Sequence, residues 1–108
     1  PLTEHALVHL RHRCAEVGLD VPIHIAENGS PSGQGRSEEG QKDSLTTMLT
    51  TVLDHAERLD ITHYELFSLR DADSSSSEPV GTLGLVTDTY ERKPAFAAYQ
   101  DVIATRCS

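Results

Sequence analysis

Apolar residues recur at helical spacing in three stretches of the chain, and each stretch has a typical helix boundary. In the first stretch, Thr3 is a suitable N-cap and Gly18 is a suitable C-terminal stop. The second stretch covers residues 45–59, and Ser37 can cap it with two glutamates in the first turn. Pro94 opens the third, because proline is tolerated at the start of a helix. The pattern therefore predicts three helices.

Two short apolar segments separate these helices, at residues 21–27 and 61–69. Both are rich in β-branched or aromatic residues, which favours strands over helices. Strands that alternate with helices are expected to pair in parallel through right-handed crossovers. The order helix, strand, helix, strand, helix thus predicts an α/β fold, with residues 70–93 as a long loop before the last helix.

Composition narrows the class of partner. The 108 residues contain 37% hydrophobic and 24% charged residues, which is enough for one small domain. Nine Lys and Arg against 17 Asp and Glu give a net charge of −8, which disfavours nucleic acid and anionic membranes as partners. The sequence has no apolar run near the roughly 20 residues that a membrane span requires.

A carboxylate at the end of the first predicted strand is the main candidate for chemistry. In parallel α/β folds, the carboxyl ends of strands carry the functional groups. Ile23, Ile25 and Glu27 share one face by period-two alternation, and if that face lines a barrel, Glu27 emerges at its top. From the residues alone, an exposed glutamate that merely ends a strand is the favoured interpretation, since turn chemistry explains Asn28 and Gly29 by itself.

Five segments resemble, in the same order, the last part of clan A glycoside hydrolases, the cellulase-like and β-glucosidase-like retaining enzymes. Residues 23–29 (IHIAENG) are similar to the seventh strand, in which an apolar-x-apolar-Ala-Glu-Asn-Gly pattern delivers the nucleophile. Residues 35–41 resemble the entry to the seventh helix, and residues 67–71 (FSLRD) resemble the end of the eighth strand. Residues 84–86 (GLV) and 93–96 (KPAF) look like the approach to the eighth helix.

This resemblance implies that residues 1–108 are the C-terminal part of one (β/α)8 catalytic domain, a fold that needs about 250 residues. The chain would supply strands seven and eight with their flanking helices, and the remainder of the barrel, or self-association, would complete the sheet. Glu27 would be the nucleophile that forms the glycosyl-enzyme intermediate. The acid/base carboxylate, expected about 5–5.5 Å away, would lie on strand four, outside this chain.

The substrate implied by the resemblance is a poly- or oligosaccharide, and four further residues are candidates to bind it. Asn28 and Arg70 are expected to orient the substrate or the nucleophile, and Tyr64 offers an aromatic face or a hydroxyl. Arg70 and Asp71 can bind sugar hydroxyls or, equally, pair to brace the loop. No metal or organic cofactor is implied, and an extracellular location is expected because polysaccharide-cleaving relatives are usually secreted.

The alternative is a catalytically inactive barrel remnant that binds carbohydrate or has a structural role. Many members of the family have a tryptophan on strand eight as a platform for the sugar, and this chain has none; Leu66 or Phe67 occupies the region.

On the two strands, His24 and His63 are expected to pack toward the helix layer.

The two cysteines, Cys14 and Cys107, are expected to be free or buried thiols rather than a disulfide.

Overall fold

The computed structural model describes residues 2–107, which form three α-helices and a two-stranded sheet. The elements in order are α1 (Leu2–Glu16), β1 (Ile23–Asn28), α2 (Glu38–Leu59), β2 (Ile61–Leu66), a short 3-10 turn (Pro79–Thr82) and α3 (Pro94–Arg106). The alternating order of helices and strands is the one that the periodicity predicts.

Helix boundaries agree with the sequence at α2 and differ at α1. The Ser37 side chain accepts a hydrogen bond from the Gly40 amide at 2.9 Å, so the predicted N-cap is confirmed. Gly18 has a φ of 74°, consistent with its expected role just beyond the end of α1. Thr3, by contrast, lies inside the first turn, because α1 already begins at Leu2. The predicted cap at Thr3 is therefore wrong.

Both strands differ in length from their predicted spans. β1 begins at Ile23 rather than at residue 21, after Pro22, which has no amide hydrogen to donate to a sheet. β2 ends at Leu66 rather than at residue 69. Beyond it the chain turns to pair with a later segment, since the Ser68 amide donates to the Leu83 carbonyl and the Leu85 amide to the Ser68 carbonyl.

β1 and β2 pair in parallel, as predicted, and their register shifts twice, between Ile23 and His24 and again between Ile25 and Asn28. Ile25 pairs with Tyr64 and Asn28 pairs with Leu66, so two residues of β1 lie opposite the single residue Glu65. This arrangement is a β-bulge, which disrupts the period-two alternation of side chains locally. The two residues in the bulge are Ala26 and Glu27.

One face of the sheet packs against the helices. Its main apolar cluster takes residues from α1, α2 and both strands, namely Leu7, Ile23, Val52, Leu59 and Ile61. A second cluster of Leu45, Leu85 and Ala95 joins α2 and α3 to the loop between β2 and α3. Both apolar clusters include residues of α2, which therefore connects the sheet and α1 on one side to α3 on the other.

The other face of the sheet, which we call the open face, carries polar side chains. His24 and His63 are both exposed, and their ring centroids lie 4.6 Å apart. The expectation that His24 packs toward the helices is wrong, whereas His63 is exposed beside it and also lines an apolar groove formed with α2 and α3. Because Ile23 and Ile25 contribute to the helix-side cluster, strand alternation directs His24 to the opposite face.

Two further observations concern the cysteines and the apolar character of the helices. Cys14 and Cys107 are both free thiols, as expected. Among residues 2–107, no helix combines the length and the apolar character needed to cross a bilayer.

We predict that the 108-residue chain associates when it is produced alone. Each strand of its sheet has one unpaired edge, and the open face is uncovered. Sedimentation velocity at increasing protein concentration is expected to show dimers or larger species. A monomer at every concentration, with a cooperative thermal melt, would contradict this prediction.

Candidate functional site

Glu27 lies in the bulge at the carboxyl end of β1, and its side chain is exposed. Strict alternation would place it on the same face as Ile23 and Ile25, which contribute to the helix-side cluster. The bulge changes this relation: Ala26 and Glu27 are both exposed, whereas Ile25 and Asn28 on either side are half-buried. The carboxylate is thus accessible at the end of a parallel strand, for a different reason from the one that the sequence suggested.

Gly29 brings the chain after Glu27 against the end of β2. A Cβ atom at this position would overlap the carbonyl oxygen of Phe67. In addition, the Phe67 amide donates a hydrogen bond of 2.9 Å to the Asn28 carbonyl. Glycine is therefore required here by the close approach of two backbones, in addition to any preference of the turn.

Tyr64 and Asn28, two of the predicted substrate-binding residues, contact each other. The Tyr64 hydroxyl donates a hydrogen bond of 2.7 Å to Asn28 Oδ1. Burial raises the pKa of Tyr64 to about 12, with a smaller contribution from nearby Tyr99, so the hydroxyl remains a donor at neutral pH. These contacts support a role in holding the turn beside Glu27, and the substrate contacts of both residues stay a prediction.

The open face adds a carboxylate and two imidazoles that sequence reasoning did not assign to the site. His24 Nε2 lies 2.8 Å from Glu65 Oε1, and Glu65 is the residue opposite the Ala26–Glu27 bulge. The alternation of buried Ile23 with its neighbours was the signal that could have placed His24 on this face.

Asp71 is buried, with its side chain 2% exposed. Its Oδ1 accepts hydrogen bonds from Lys93 Nζ at 2.7 Å and from the Gly84 amide at 2.8 Å, and its Oδ2 accepts one from Ser74 at 2.8 Å. Of the two predicted alternatives, this geometry supports the brace. The ionic partner is Lys93 rather than Arg70.

Arg70 braces a different part of the same loop. Its guanidinium donates to the carbonyl of Asp71 at 3.2 Å and to that of Asp88 at 2.6 Å. It also lies over the ring of Tyr90, 5.2 Å from the centroid. The substrate-binding role of Arg70 stays a prediction, and these contacts account for its orientation without a ligand.

Lys93 and Gln41 are buried polar residues to which the sequence analysis assigned no role. Lys93 donates to Ser32 Oγ at 2.8 Å as well as to Asp71. Gln41, 1% exposed, donates to the carbonyls of Ser30 and Gly84. Both side chains thus connect the loop that follows β1 to the loop that follows β2, and no local sequence pattern reveals such long-range partners.

Two other features help to locate the site. Phe67, 46% exposed, is an aromatic residue immediately after β2, and its backbone carbonyl lies beside Gly29. An apolar groove of about 200 Å³ lies between α2, β2 and α3, but Glu27 is not among its lining residues. Within residues 2–107, no group of three or more His, Cys, Asp or Glu side chains is arranged to hold a metal ion.

The fold defined by this arrangement occurs within known glycoside hydrolases. A GH5_18 protein from Streptomyces cattleya, solved in complex with Manb1-4GlcNAc, superposes with a TM-score of 0.70 at 20% identity, over 94% of this chain and 25% of that one. The GH1 beta-glucosidase from Exiguobacterium antarcticum superposes with a TM-score of 0.69 at 27% identity, over 96% and 26% of the two chains.

A third similar structure is the Ruminococcus gnavus beta-glucuronidase in complex with uronic isofagomine, with a TM-score of 0.68 and 22% identity over 91% of this chain and 18% of that one. No protein-family model and no curated protein matches the sequence significantly. The chain spans about a fifth to a quarter of the length of these structures. Its α/β architecture is therefore that of a part of glycoside hydrolases, consistent with a partial (β/α)8 barrel.

We predict that Gly29→Ala destabilises the full-length protein, because the added methyl group overlaps the Phe67 carbonyl and forces β1 and β2 apart at their ends. The expected loss is about 1–3 kcal/mol of unfolding free energy, typical of overpacking. Urea denaturation measures this loss. Ala97→Ser, which also adds one heavy atom but at an exposed position of α3, is the control. Equal midpoints for Gly29→Ala and wild type would refute the close approach.

We also predict an alkaline effect of Tyr64. Its folded pKa of about 12 exceeds the ordinary value of 10.0, so the stabilisation it provides is complete below pH 10 and is lost as the pH rises through 12. Tyr64→Phe should lower stability at pH 8 by about 1 kcal/mol through the lost hydrogen bond. Between pH 10 and 11.5, the variant should lose less stability with rising pH than wild type does.

Urea denaturation at a series of pH values measures this effect. Tyr90→Phe is the matched control, because the Tyr90 side chain is 70% exposed and its substitution should leave the pH dependence as in wild type. The same slope for Tyr64→Phe and wild type above pH 10 would be inconsistent with a buried, hydrogen-bonded hydroxyl.

Proposed function

We propose that this chain supplies strands seven and eight of a retaining O-glycoside hydrolase barrel, with Glu27 as the nucleophile. The observation that carries the proposal is the accessible carboxylate of Glu27 at the carboxyl end of parallel β1, where the bulge exposes it beside a turn anchored to Phe67. The carboxyl ends of strands are where (β/α)8 enzymes hold their catalytic residues.

The chemistry follows from the two-carboxylate mechanism. A Glu27 oxygen attacks the anomeric carbon, and the bond to the leaving oxygen breaks as an acid/base carboxyl group gives it a proton. Water then attacks the covalent intermediate, gives its proton back to the acid/base group and frees Glu27. The acid/base residue belongs to the part of the barrel that this chain does not supply.

The backbone contacts beside Glu27 suit a nucleophile. Attack requires reacting atoms about 3–3.5 Å apart in a fixed orientation, and therefore a rigid support. The Asn28 side chain and carbonyl are both hydrogen-bonded to β2 or the residue after it, and Gly29 lies against Phe67. In this proposal the ring of Phe67 takes the place of the family's tryptophan as the platform for the sugar.

The structural neighbours support carbohydrate as the substrate class. Two of them are a beta-glucosidase and a beta-glucuronidase, and a third was solved with Manb1-4GlcNAc bound. We extend this class to the present chain, with Asn28, Tyr64 and Arg70 as further candidates for contact with the sugar; the buried Asp71 carboxylate is assigned to bracing the loop instead. The alternative hypothesis, an inactive barrel remnant that binds carbohydrate, is tested by the same experiment.

Covalent labelling of the full-length protein tests the proposal. The protein is incubated with 2-deoxy-2-fluoro glycosides of the gluco, manno and glucurono series, then digested and mapped by mass spectrometry. We expect a label on Glu27, because fluorine slows hydrolysis of the intermediate. Glu27→Gln should abolish the label and lower turnover on the order of 1,000-fold or more. Glu57→Gln, an exposed glutamate on α2, is the control.

A chemical-rescue experiment provides a second test of Glu27 as the nucleophile. In Glu27→Ala, azide should enter the space of the lost carboxylate and give a glycosyl azide of inverted configuration. A label on another residue would end the assignment of Glu27. Full-length protein that binds these sugars without label or hydrolysis would support the inactive remnant instead.

A further inference from the structure

A buried ion pair joins Lys93 to Asp71, and both side chains are only 2% exposed. Taking two charges out of water is costly unless further hydrogen bonds satisfy them. The Asp71 carboxylate also accepts from the Gly84 amide and the Ser74 hydroxyl, and the Lys93 ammonium also donates to the Ser32 hydroxyl at 2.8 Å. The pair is therefore embedded in a hydrogen-bond network rather than being a loose contact.

The network connects three segments that are distant in sequence. Ser32 lies five residues after Glu27, Asp71 lies five residues after the end of β2, and Lys93 is the N-cap of α3. The contact at Ser32 is reinforced by the backbone, because the Ser32 amide donates to the Thr82 carbonyl at 3.1 Å. The loop that leaves Glu27 is thus attached to the loop beyond β2.

We propose that Lys93 and Asp71 form a positioning pair that fixes the loop after Glu27, and with it the Glu27 carboxylate, relative to β2. This inference rests on the proposed function of Glu27. Both side chains are buried, so they act through Ser32 and Gly84 rather than on the substrate. A misplacement of about 1 Å can cost about 100-fold in rate, even when its cause is remote from the chemistry.

The test separates positioning from folding. Lys93→Met alone leaves the Asp71 carboxylate buried without its partner, which is strongly destabilising. The double variant Lys93→Met with Asp71→Leu replaces the pair by apolar side chains, an exchange that is often neutral or stabilising. It removes the bonds to Ser32, Gly84 and Ser74. Lys42→Met, which removes an exposed ion pair with Glu39, is the matched control.

Two measurements are made on the full-length protein. The first is amide hydrogen exchange in a peptide covering residues 28–36, which includes the Ser32 and Gly33 amides bonded to Thr82. The second is the rate at which a fluorinated glycoside labels Glu27, together with kcat and KM for hydrolysis. The double variant should exchange at least tenfold faster in this peptide. Its labelling rate and kcat should fall 10- to 100-fold, with KM within threefold of wild type.

Each outcome decides the proposal. Unchanged exchange in residues 28–36, or labelling at the wild-type rate, would overturn it. If wild type carries no label on Glu27, the proposed function fails, while the exchange data still show whether the pair holds the loop. If the double variant does not fold, Ser32→Ala serves instead, because it keeps the ion pair and removes the Lys93 contact with the loop, together with a 3.4 Å bond from the Ser32 hydroxyl to the Thr82 carbonyl. Exchange as slow as in wild type would then overturn the proposal.

Discussion

The packing of the sheet against α1 and α2 is the constraint on which the rest of the structure depends. Ile23 and Ile61 pair across the two strands, and both belong to the apolar cluster with Leu7, Val52 and Leu59. Because burial of these side chains is favourable in proportion to the apolar area removed from water, it determines which face of each strand meets the helices. The open face, with His24 and Glu65, is a direct consequence.

The bulge in β1 makes an exposed glutamate compatible with this packing. Ile25 and Asn28 both keep half-buried positions, the latter bonded to Tyr64. In a regular strand, Ile25 and Glu27 would share one face and Asn28 would lie on the opposite face. Ile25 and Asn28 could then not both be half-buried on the same face while Glu27 was exposed. Inserting one residue between the two anchored positions exposes the carboxylate and costs only a local irregularity in the ladder.

The order and pairing of the elements were predictable because they depend on local periodicity, and the Ser37 cap followed from local chemistry. The face of the strand on which Glu27 lies could not be predicted, because a bulge arises from the register of two strands and cannot be recognised in the sequence of one strand. The ion-pair partner of Asp71 could not be predicted either. Its contact with Lys93 spans 22 positions and depends on the path of an irregular loop. The sequence analysis paired Asp71 with Arg70 because the two residues are adjacent. In the folded chain the ionic partner is Lys93 instead.

The character of the open face bears on the choice between an enzyme and an inert remnant. In the proposed barrel, the remaining strands would either bury His24, His63 and Glu65 or leave them facing a cavity. His24 Nε2 and Glu65 Oε1 already lie 2.8 Å apart, but burial of the remaining polar atoms without further partners would be expensive, so a purely structural core would favour apolar side chains there. A wet, substrate-accessible interior avoids that cost, since water or sugar hydroxyls can satisfy each imidazole and carboxylate. The polar face beside Glu27 is therefore better suited to the interior of an active site than to a packed core.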